Sequence, residues 1–241
     1  MMILVNEAFS DEALADNLSL DLRNIGAAVW PRLLRRCRAH DLTLYHLTVK
    51  TLDGIECLSE TKELTLEWAT KIEQLDSVFR IPHLTKLSVY NFPKLRILTG
   101  IEQLQEITEL NLSGSRGAIN PPLRLATIAP VTGIPNLTSF SLANARLDDD
   151  DISCLSDCPR LRNLDLSKNF DRSQFAFLAK RLNPQLNTPI LPHVTTRLRC
   201  EHCDGHKAMF IGRRMPFLCR ACDKAKFERL EHEFEKLVHD A

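Results

Sequence analysis

The 241-residue chain lacks the features that mark membrane, secreted and strongly charged proteins. No apolar run approaches the ~18 residues that a membrane-spanning helix needs. The start of the chain has no basic region before an apolar one, so we expect no secretory signal. Its 31 basic and 31 acidic residues cancel, so the overall charge favours neither nucleic acid nor a membrane as partner. These absences predict a cytoplasmic protein.

Signs of catalysis are also missing from the sequence. We find no serine–histidine–aspartate set, no glycine-rich phosphate loop and no metal-ligand pattern that leaves an open coordination position. We therefore expect a binding protein and not an enzyme.

A nine-residue phrase rich in leucine recurs along the chain. Its clearest copy, residues 161–169, reads L-x-x-L-x-L-x-x-N, and degraded copies begin at residues 44, 61, 84, 107 and 137. The fourth residues of the copies are Leu47, Leu64, Leu87, Leu110, Phe140 and Leu164, with steps of 17, 23, 23, 30 and 24. Residues four and six point the same way on a strand, so stacked copies bury two apolar columns that one copy could not bury. The phrase predicts parallel strands, one from each copy.

The phrase and its recurring step near 23 residues resemble the leucine-rich repeat family, with a repeat length similar to internalin-like bacterial proteins. The resemblance covers about residues 44–190. It implies an α/β solenoid with a parallel sheet on a concave face that binds a partner protein. The ninth position departs from the family, because only Asn169 retains its asparagine, and the short first step leaves the register of the Leu47 copy open.

The chain divides into three predicted parts. Residues 1–43 form an N-terminal cap, in which the alternating residues 18–22 could add a strand parallel to the first repeat. Residues 44–193 form the leucine-rich repeats. Residues 194–241 form a small C-terminal cysteine-rich domain that ends in a helix.

Tryptophan and tyrosine are scarce, with two of each. Three of these four, Tyr45, Trp68 and Tyr90, lie at variable positions of the first three copies. Tryptophan and tyrosine are enriched at binding hot spots, although Trp68 could instead pack over the edge of the sheet. The predicted partner-binding residues are Tyr45, His46, Lys50, Glu67, Trp68, Tyr90 and Asn91.

The favoured function is therefore recruitment or sequestration of a partner protein on the concave face. The resemblance to bacterial repeat proteins suggests one specific form, an immunity protein that neutralises a toxin. In this interpretation, Glu67 and Lys50 lie at neighbouring seventh positions of the phrase and orient the partner electrostatically.

Four of the eight cysteines form two close pairs. Cys200 and Cys203 are separated from Cys219 and Cys222 by fifteen residues, and Cys-x2-Cys-x15-Cys-x2-Cys is a strong zinc signature. Four thiolates leave no open position, so we expect one structural Zn2+. A hairpin between the pairs and a helix after them resemble a treble-clef zinc finger. Among the remaining four, Cys37 is expected to face inward, and Cys154 and Cys158 are expected to pack as small apolar residues.

The zinc finger supplies the alternative function. Residues 197–229 hold nine basic and four acidic residues, a net charge of +5, which could meet phosphate groups. The alternative is a nucleic-acid or ribonucleoprotein adaptor. Its candidate contact residues are Arg213, Arg214, Arg220 and Lys224.

Overall fold

The computed structural model describes residues 1–5, 9–115 and 121–241. Within it the chain forms two compact units, the first of residues 1–150 and 164–166, the second of residues 151–163 and 167–241. Residues 167–193 thus group with the cysteine-rich end. The predicted division into cap, repeats and zinc finger, with boundaries at residues 43 and 193, stays a prediction.

Short parallel strands build the first unit. In chain order the strands are β1 (Met2–Leu4), β2 (Ser19–Ile25), β3 (Asp41–Leu47), β4 (Glu63–Glu67), β5 (Lys86–Tyr90), β6 (Glu109–Ser113), β7 (Leu123–Leu125), β8 (Ser139–Ala143), β9 (Ala145–Leu147) and β10 (Asn163–Leu166). One sheet, here called the long sheet, has the order β1-β2-β3-β4-β5-β6-β8-β10, and β7 pairs with β9 beside it. Pairing from β1 to β8 along the long sheet is parallel. The predicted α/β fold with parallel repeat strands is confirmed.

Helices are short in the first unit and longer in the second. The α-helices are α1 (Asp11–Ala15), α2 (Trp30–Arg36), α3 (Arg172–Leu182) and α4 (Lys224–Asp240). The 3-10 helices are Ile55–Cys57, Val78–Arg80, Ile101–Gln103, Ala129–Gly133 and Ser153–Asp157. No helix of the described residues has both the length and the apolar character needed to cross a membrane.

The structure corrects the register of the first repeat. The predicted copy places Leu47 opposite Leu64, but Leu42 holds that place. The copy therefore starts five residues earlier, at Ala39, and its step to the next repeat is 22 residues instead of 17. Ala39 stands where the phrase calls for leucine, and this substitution hid the true register. The predicted capping strand is confirmed, since β2 pairs in parallel with β3.

One face of the long sheet forms the core of the first unit. Residues four and six of the phrases on β3 to β8, such as Leu64, Leu66 and Leu87, are buried, and Leu164 on β10 is half-buried. Burying each such side chain stabilises the fold by about 1.5–3 kcal/mol. Thr61 is buried at a first position, where its hydroxyl donates to the main-chain carbonyl of Ala39 at 2.8 Å. That hydrogen bond lets threonine replace the expected leucine.

The cysteine-rich end of the second unit contains an antiparallel sheet and α4. Strands β11 (His193–Arg199), β12 (His206–Phe210) and β13 (Phe217–Cys219) lie side by side in that order. The β12–β13 hairpin and the following helix were both predicted from the sequence. Buried side chains of the sheet and α4 pack into one small core, made of Ala208, Phe210, Leu218, Phe227 and Leu230.

Helices α3 and α4 contact each other within the second unit. Arg172 of α3 donates to the main-chain carbonyl of Leu230. Its guanidinium lies 3.5 Å from a carboxylate oxygen of Glu233 and 5.5 Å from the Phe234 ring centroid. Only 12% of the Arg172 side chain is exposed. A largely buried guanidinium is tolerated here because α4 supplies its carbonyl, carboxylate and aromatic partners.

Candidate binding surface and metal centre

Three of the predicted partner-binding residues share one row of the long sheet. Tyr45 lies opposite Glu67, and Glu67 lies opposite Tyr90. These side chains belong to the solvent face, which is opposite the buried leucines and carries the third, fifth and seventh residues of each phrase. Trp68 follows Glu67 directly and is 39% exposed. We call Tyr45, His46, Trp68 and Tyr90 the aromatic surface.

Ring contacts order part of the aromatic surface. Trp68 stacks on His46, with ring centroids 4.3 Å apart and an angle of 24° between the planes. Tyr45 meets Trp68 edge-on at 5.6 Å. His46 Nδ1 lies 2.8 Å from the Asn24 side-chain oxygen, a contact that holds the imidazole in place. Trp68 therefore packs with one face of its ring against His46, and the rest of its side chain is open to a partner.

The backbone after several strands takes a left-handed turn. Four residues at the eighth position of their phrases have a positive φ: His46 (58°), Trp68 (59°), Asn91 (57°) and Asn144 (43°). Asn24, with φ of 65°, holds the corresponding place in β2. Asparagine tolerates this conformation, but a bulky residue such as Trp68 stores about 1–3 kcal/mol of strain there. The neighbouring strands hold the strained backbone, since Trp68 N–H donates to the Tyr90 carbonyl at 3.0 Å. Residues with a strained backbone conformation of this kind cluster at ligand-contact sites.

Lys50 lies away from the row that contains Glu67. After the register correction, the third, fifth and seventh residues of the first repeat are Asp41, Thr43 and Tyr45. The prediction that Lys50 and Glu67 lie at neighbouring seventh positions is therefore wrong. Lys50 is exposed after β3 and lines a separate cleft of about 600 Å³ with Lys71 and Glu73. Its role as a partner contact stays a prediction.

The sequence interpretation missed Arg23 as a member of this face. Its guanidinium carbon lies 5.0 Å from the Tyr45 ring centroid, and its Nη2 lies 2.7 Å from Asp21. Hydrogen bonding to Asp21 raises the pKa of Arg23 above its usual value. Extending the alternating residues 18–22 by one residue would have identified Arg23 as solvent-facing, but its place opposite Tyr45 follows from the alignment of β2 with β3.

The structure brings the four paired cysteines together. Cys200 follows β11, Cys203 lies in the next turn, Cys219 ends β13 and Cys222 precedes α4. The Sγ atoms of Cys200 and Cys222 are 3.8 Å apart, those of Cys203 and Cys219 are 3.5 Å apart, and all four lie within 4.8 Å of one another. A sulfur tetrahedron with zinc–sulfur distances of ~2.3 Å has edges of ~3.8 Å. The cluster has the size and donor set of a four-thiolate metal site.

Local contacts prepare the cysteine cluster for a cation. A hydrogen bond from the Cys222 backbone N–H, aided by the Cys203 thiol, lowers the pKa of Cys219 to about 7. Hydrogen bonds with the Cys203 and Cys200 side chains raise the pKa of Cys222 to about 12. One thiolate forms readily, but a second anion beside it is disfavoured until a cation joins the cluster. A Cβ on Gly205 would lie 3.3 Å from Cys203 Sγ, so glycine keeps space beside the sulfurs.

The other four cysteines differ among themselves. Cys37 and Cys158 are buried as expected, and burial raises the pKa of Cys158 to about 11. Cys154 is half-buried. Cys57 is exposed. It lies at the end of a single-turn 3-10 helix, where Ile55 fills the buried position instead.

Most of the basic residues assigned to nucleic acid have partners within the second unit. Arg220 Nη2 lies 2.9 Å from Glu231, and Lys224 lies 3.9 Å from an acid one turn further along α4. Arg213 Nε donates to a main-chain carbonyl at 2.9 Å. Arg214 is exposed in the hairpin turn with φ of 60°. The acidic face of α4 thus offsets much of the positive charge, and the nucleic-acid alternative stays a prediction.

Comparisons with known proteins agree with the fold. No protein-family model matches the chain. An internalin, InlF, from Listeria monocytogenes is similar over 70% of this chain and 46% of its own, with 18% identity and a TM-score of 0.51. A leucine-rich repeat protein of Leptospira interrogans is 21% identical over 65% of this chain and 38% of its own, with a TM-score of 0.45. The leucine-rich repeat domain of the type III effector XopL is 19% identical over 62% of this chain and 52% of its own, also with a TM-score of 0.45.

The matched part thus spans less than half of the internalin chain, and identities this low show the fold alone. Parallel strands in register and buried leucine columns agree with that likeness. The chain has the leucine-rich repeat fold, and its second unit carries a cluster of four cysteines that could bind a metal ion.

Proposed function

We propose that this chain is a protein-interaction module without catalytic activity, which binds a partner protein on the solvent face of the long sheet at the aromatic surface. The observation that carries this proposal is Trp68. Its indole is more than a third exposed, stacks on His46 and stands on strained backbone between two strands. An exposed aromatic side chain held in one orientation loses little entropy when a partner covers it.

The arrangement around Trp68 supports a contact centred on β3, β4 and β5. Tyr45 and Tyr90 occupy the same row on either side of Glu67. The equivalent residues on the later strands β6 and β8 are Ser113 and Ala143, which offer little contact area. Binding energy concentrates in large aromatic side chains at the centre of an interface, so the partner contacts belong to the earlier strands.

The first prediction tests this surface by truncation. Trp68→Ala and Tyr90→Ala should each weaken partner binding about thirty- to a thousandfold, because losing a buried hot spot costs about 2–4 kcal/mol. Their melting temperatures should stay near that of the native chain, since each side chain is partly exposed. The partner is identified by affinity capture from the native host, and its Kd is then measured with purified proteins.

Phe217→Ala is the matched control, since Phe217 is an aromatic residue that is 45% exposed in the second unit. It should bind the partner normally. Normal binding by both Trp68→Ala and Tyr90→Ala would contradict the assigned surface. The immunity-protein form of the function stays a prediction, and it requires the captured partner to be a toxin that this chain inhibits.

We further propose that the cysteine cluster holds one structural zinc ion. Cys200, Cys203, Cys219 and Cys222 would supply all four ligands, and the soft thiolates suit this borderline ion. A bound zinc would cross-link β11, β13 and the start of α4. The core of the sheet and α4 is small, so folding there should depend on the metal.

The second prediction concerns metal content. Protein purified without chelators should contain one zinc per chain by elemental analysis. Replacement by Co2+ should give the visible spectrum of a tetrahedral four-thiolate site. Cys203→Ser should lose both signals, whereas Cys57→Ser, an exposed cysteine outside the cluster, should keep them. A native protein free of metal would contradict the assignment.

A further inference from the structure

The solvent face of β3, β4 and β5 carries carboxylates beside the aromatic surface. Asp41 lies opposite Glu63 in one row, about 4.8 Å away across the strands. Like charges directly opposite each other destabilise a sheet. Asp41 accepts a hydrogen bond from the neutral Ser19 hydroxyl at 2.9 Å, which leaves its charge in place. Lys86, next in that row, pairs with Glu109 of β6 at 3.1 Å.

Arg23 shows how this face holds a positive charge. The guanidinium lies over the Tyr45 ring and against the carboxylate of Asp21. A cation placed between a carboxylate and an aromatic ring gains both an ion pair and a cation–π contact. Glu67, with Tyr90 opposite and the exposed indole of Trp68 adjacent, repeats this combination on the next strands.

We propose that the solvent face recognises a basic segment of the partner protein, with a lysine or arginine side chain seated against Trp68 and Tyr90 and paired with Glu67. This inference rests on the proposed function, in which a partner binds at the aromatic surface. The charge of the solvent face indicates which kind of partner segment binds there. From β2 to β6 this face carries two cations, Arg23 and Lys86, and a larger number of carboxylates, so it is acidic on balance. The carboxylates are those of Asp21, Asp41, Glu63, Glu67 and Glu109. An acidic or phosphate-bearing segment would be repelled from the same rows.

The two tryptophans allow a local test by NMR. Their indole N–H groups give two separate signals. Trp30 is an internal reference, because it is 8% exposed and its Nε1–H donates to the Asp53 carbonyl at 3.0 Å. The full chain is titrated at low ionic strength with a short peptide of alternating lysine and glycine, and with matching glutamate–glycine and serine–glycine peptides. The lysine peptide should shift the Trp68 signal alone, and added salt should reverse the shift.

A charge-neutral variant tests the role of Glu67. Glu67→Gln keeps the shape of the side chain and should weaken lysine-peptide binding about three- to thirtyfold, the range expected for a partly desolvated cation contact. The matched control is Glu235→Gln, which removes the same charge from a 72% exposed side chain on α4. This control should bind like the native chain. Equal Trp68 shifts with all three peptides, or undiminished binding by Glu67→Gln, would overturn the inference.

The outcomes separate this inference from the proposed function. If the basic peptide fails but Trp68→Ala still loses the native partner, the surface stands and its preference for basic segments is wrong. If both Trp68→Ala and Tyr90→Ala retain the native partner, both proposals are wrong.

Discussion

Single side chains determine local structure where they accept hydrogen bonds from backbone N–H groups. Asp171 begins α3 as its N-cap, and its carboxylate accepts hydrogen bonds from the Ser173 hydroxyl at 2.6 Å and from the Ser173 backbone N–H at 2.8 Å. These bonds lower the pKa of Asp171 below its usual value. A depressed carboxyl pKa means that the carboxylate stabilises the folded state above the unfolded pKa, and that this contribution is lost as the pH falls.

The third prediction follows from this helix cap. At neutral pH, Asp171→Ala should lower the free energy of unfolding by about 1 kcal/mol, because the first turn of α3 loses its acceptor. The difference from the native chain should shrink as the pH falls below about 4, where the native carboxylate becomes protonated. Urea denaturation followed by circular dichroism at several pH values measures both effects. Asp171→Asn, which keeps an acceptor, should lose little, and a loss independent of pH in Asp171→Ala would contradict the charge-based part of the explanation.

At the scale of elements, each repeat depends on how the chain leaves its strand. In the repeats of β3, β4, β5 and β8 the residue at the eighth position is left-handed and turns the backbone out of the sheet. Neighbouring residues use the main-chain groups that this turn presents. The Asn144 carbonyl, for example, accepts from Gly114 N–H at 3.2 Å and from Leu123 N–H at 2.9 Å. A residue that resists positive φ at this position would disturb the pairing of β6 with β8 and of β7 with β9.

The fourth prediction uses Asn144, with φ of 43°. Asn144→Gly should change the free energy of unfolding little, because glycine adopts this conformation readily. Asn144→Val should lower it by about 1–2 kcal/mol, because a β-branched side chain clashes with the following carbonyl there. Thermal or urea unfolding of the two variants measures the contrast. Equal stability of the glycine and valine variants would show that the turn does not constrain this position.

At the scale of the whole molecule, the four-cysteine cluster belongs to the same compact unit as α3. The sequence separates a zinc finger at residues 194–241 from the repeats, but Arg172 and Lys180 of α3 both donate to main-chain carbonyls of α4. Cys222 lies shortly before α4, so a metal ion held by the cluster would fix the start of this helix. Losing the metal should therefore affect α3 as well as the finger.

The fifth prediction concerns metal removal. A chelator should abolish hydrogen-exchange protection of amides in both α3 and α4, because α3 loses the partners supplied by α4. Both tryptophans, Trp30 and Trp68, lie in the first unit, so their fluorescence should change little. Hydrogen exchange with mass spectrometry and fluorescence of the same samples test this contrast. Continued protection of α3 after metal loss would show that it folds without the finger.

The sequence alone determined the features that depend on local spacing. Leucines two apart within each phrase define the buried face of a strand, and two Cys-x2-Cys pairs predict a cluster of four cysteines, because these patterns act through neighbours in the chain. Trp68 and Tyr90 were also identifiable, as rare aromatics at variable positions. These features together predicted the repeat fold and the cysteine cluster.

Only the tertiary structure decided how the strands match one another and which charges meet. The pairing of Leu42 with Leu64 corrected the first repeat, removed Lys50 from the row of Glu67 and placed Tyr45 there. Strand register depends on hydrogen bonds between segments distant in sequence, and one alanine at a leucine position was enough to mislead the pattern. Arg23 over Tyr45 arises for the same reason, since the two residues become neighbours only when parallel strands align.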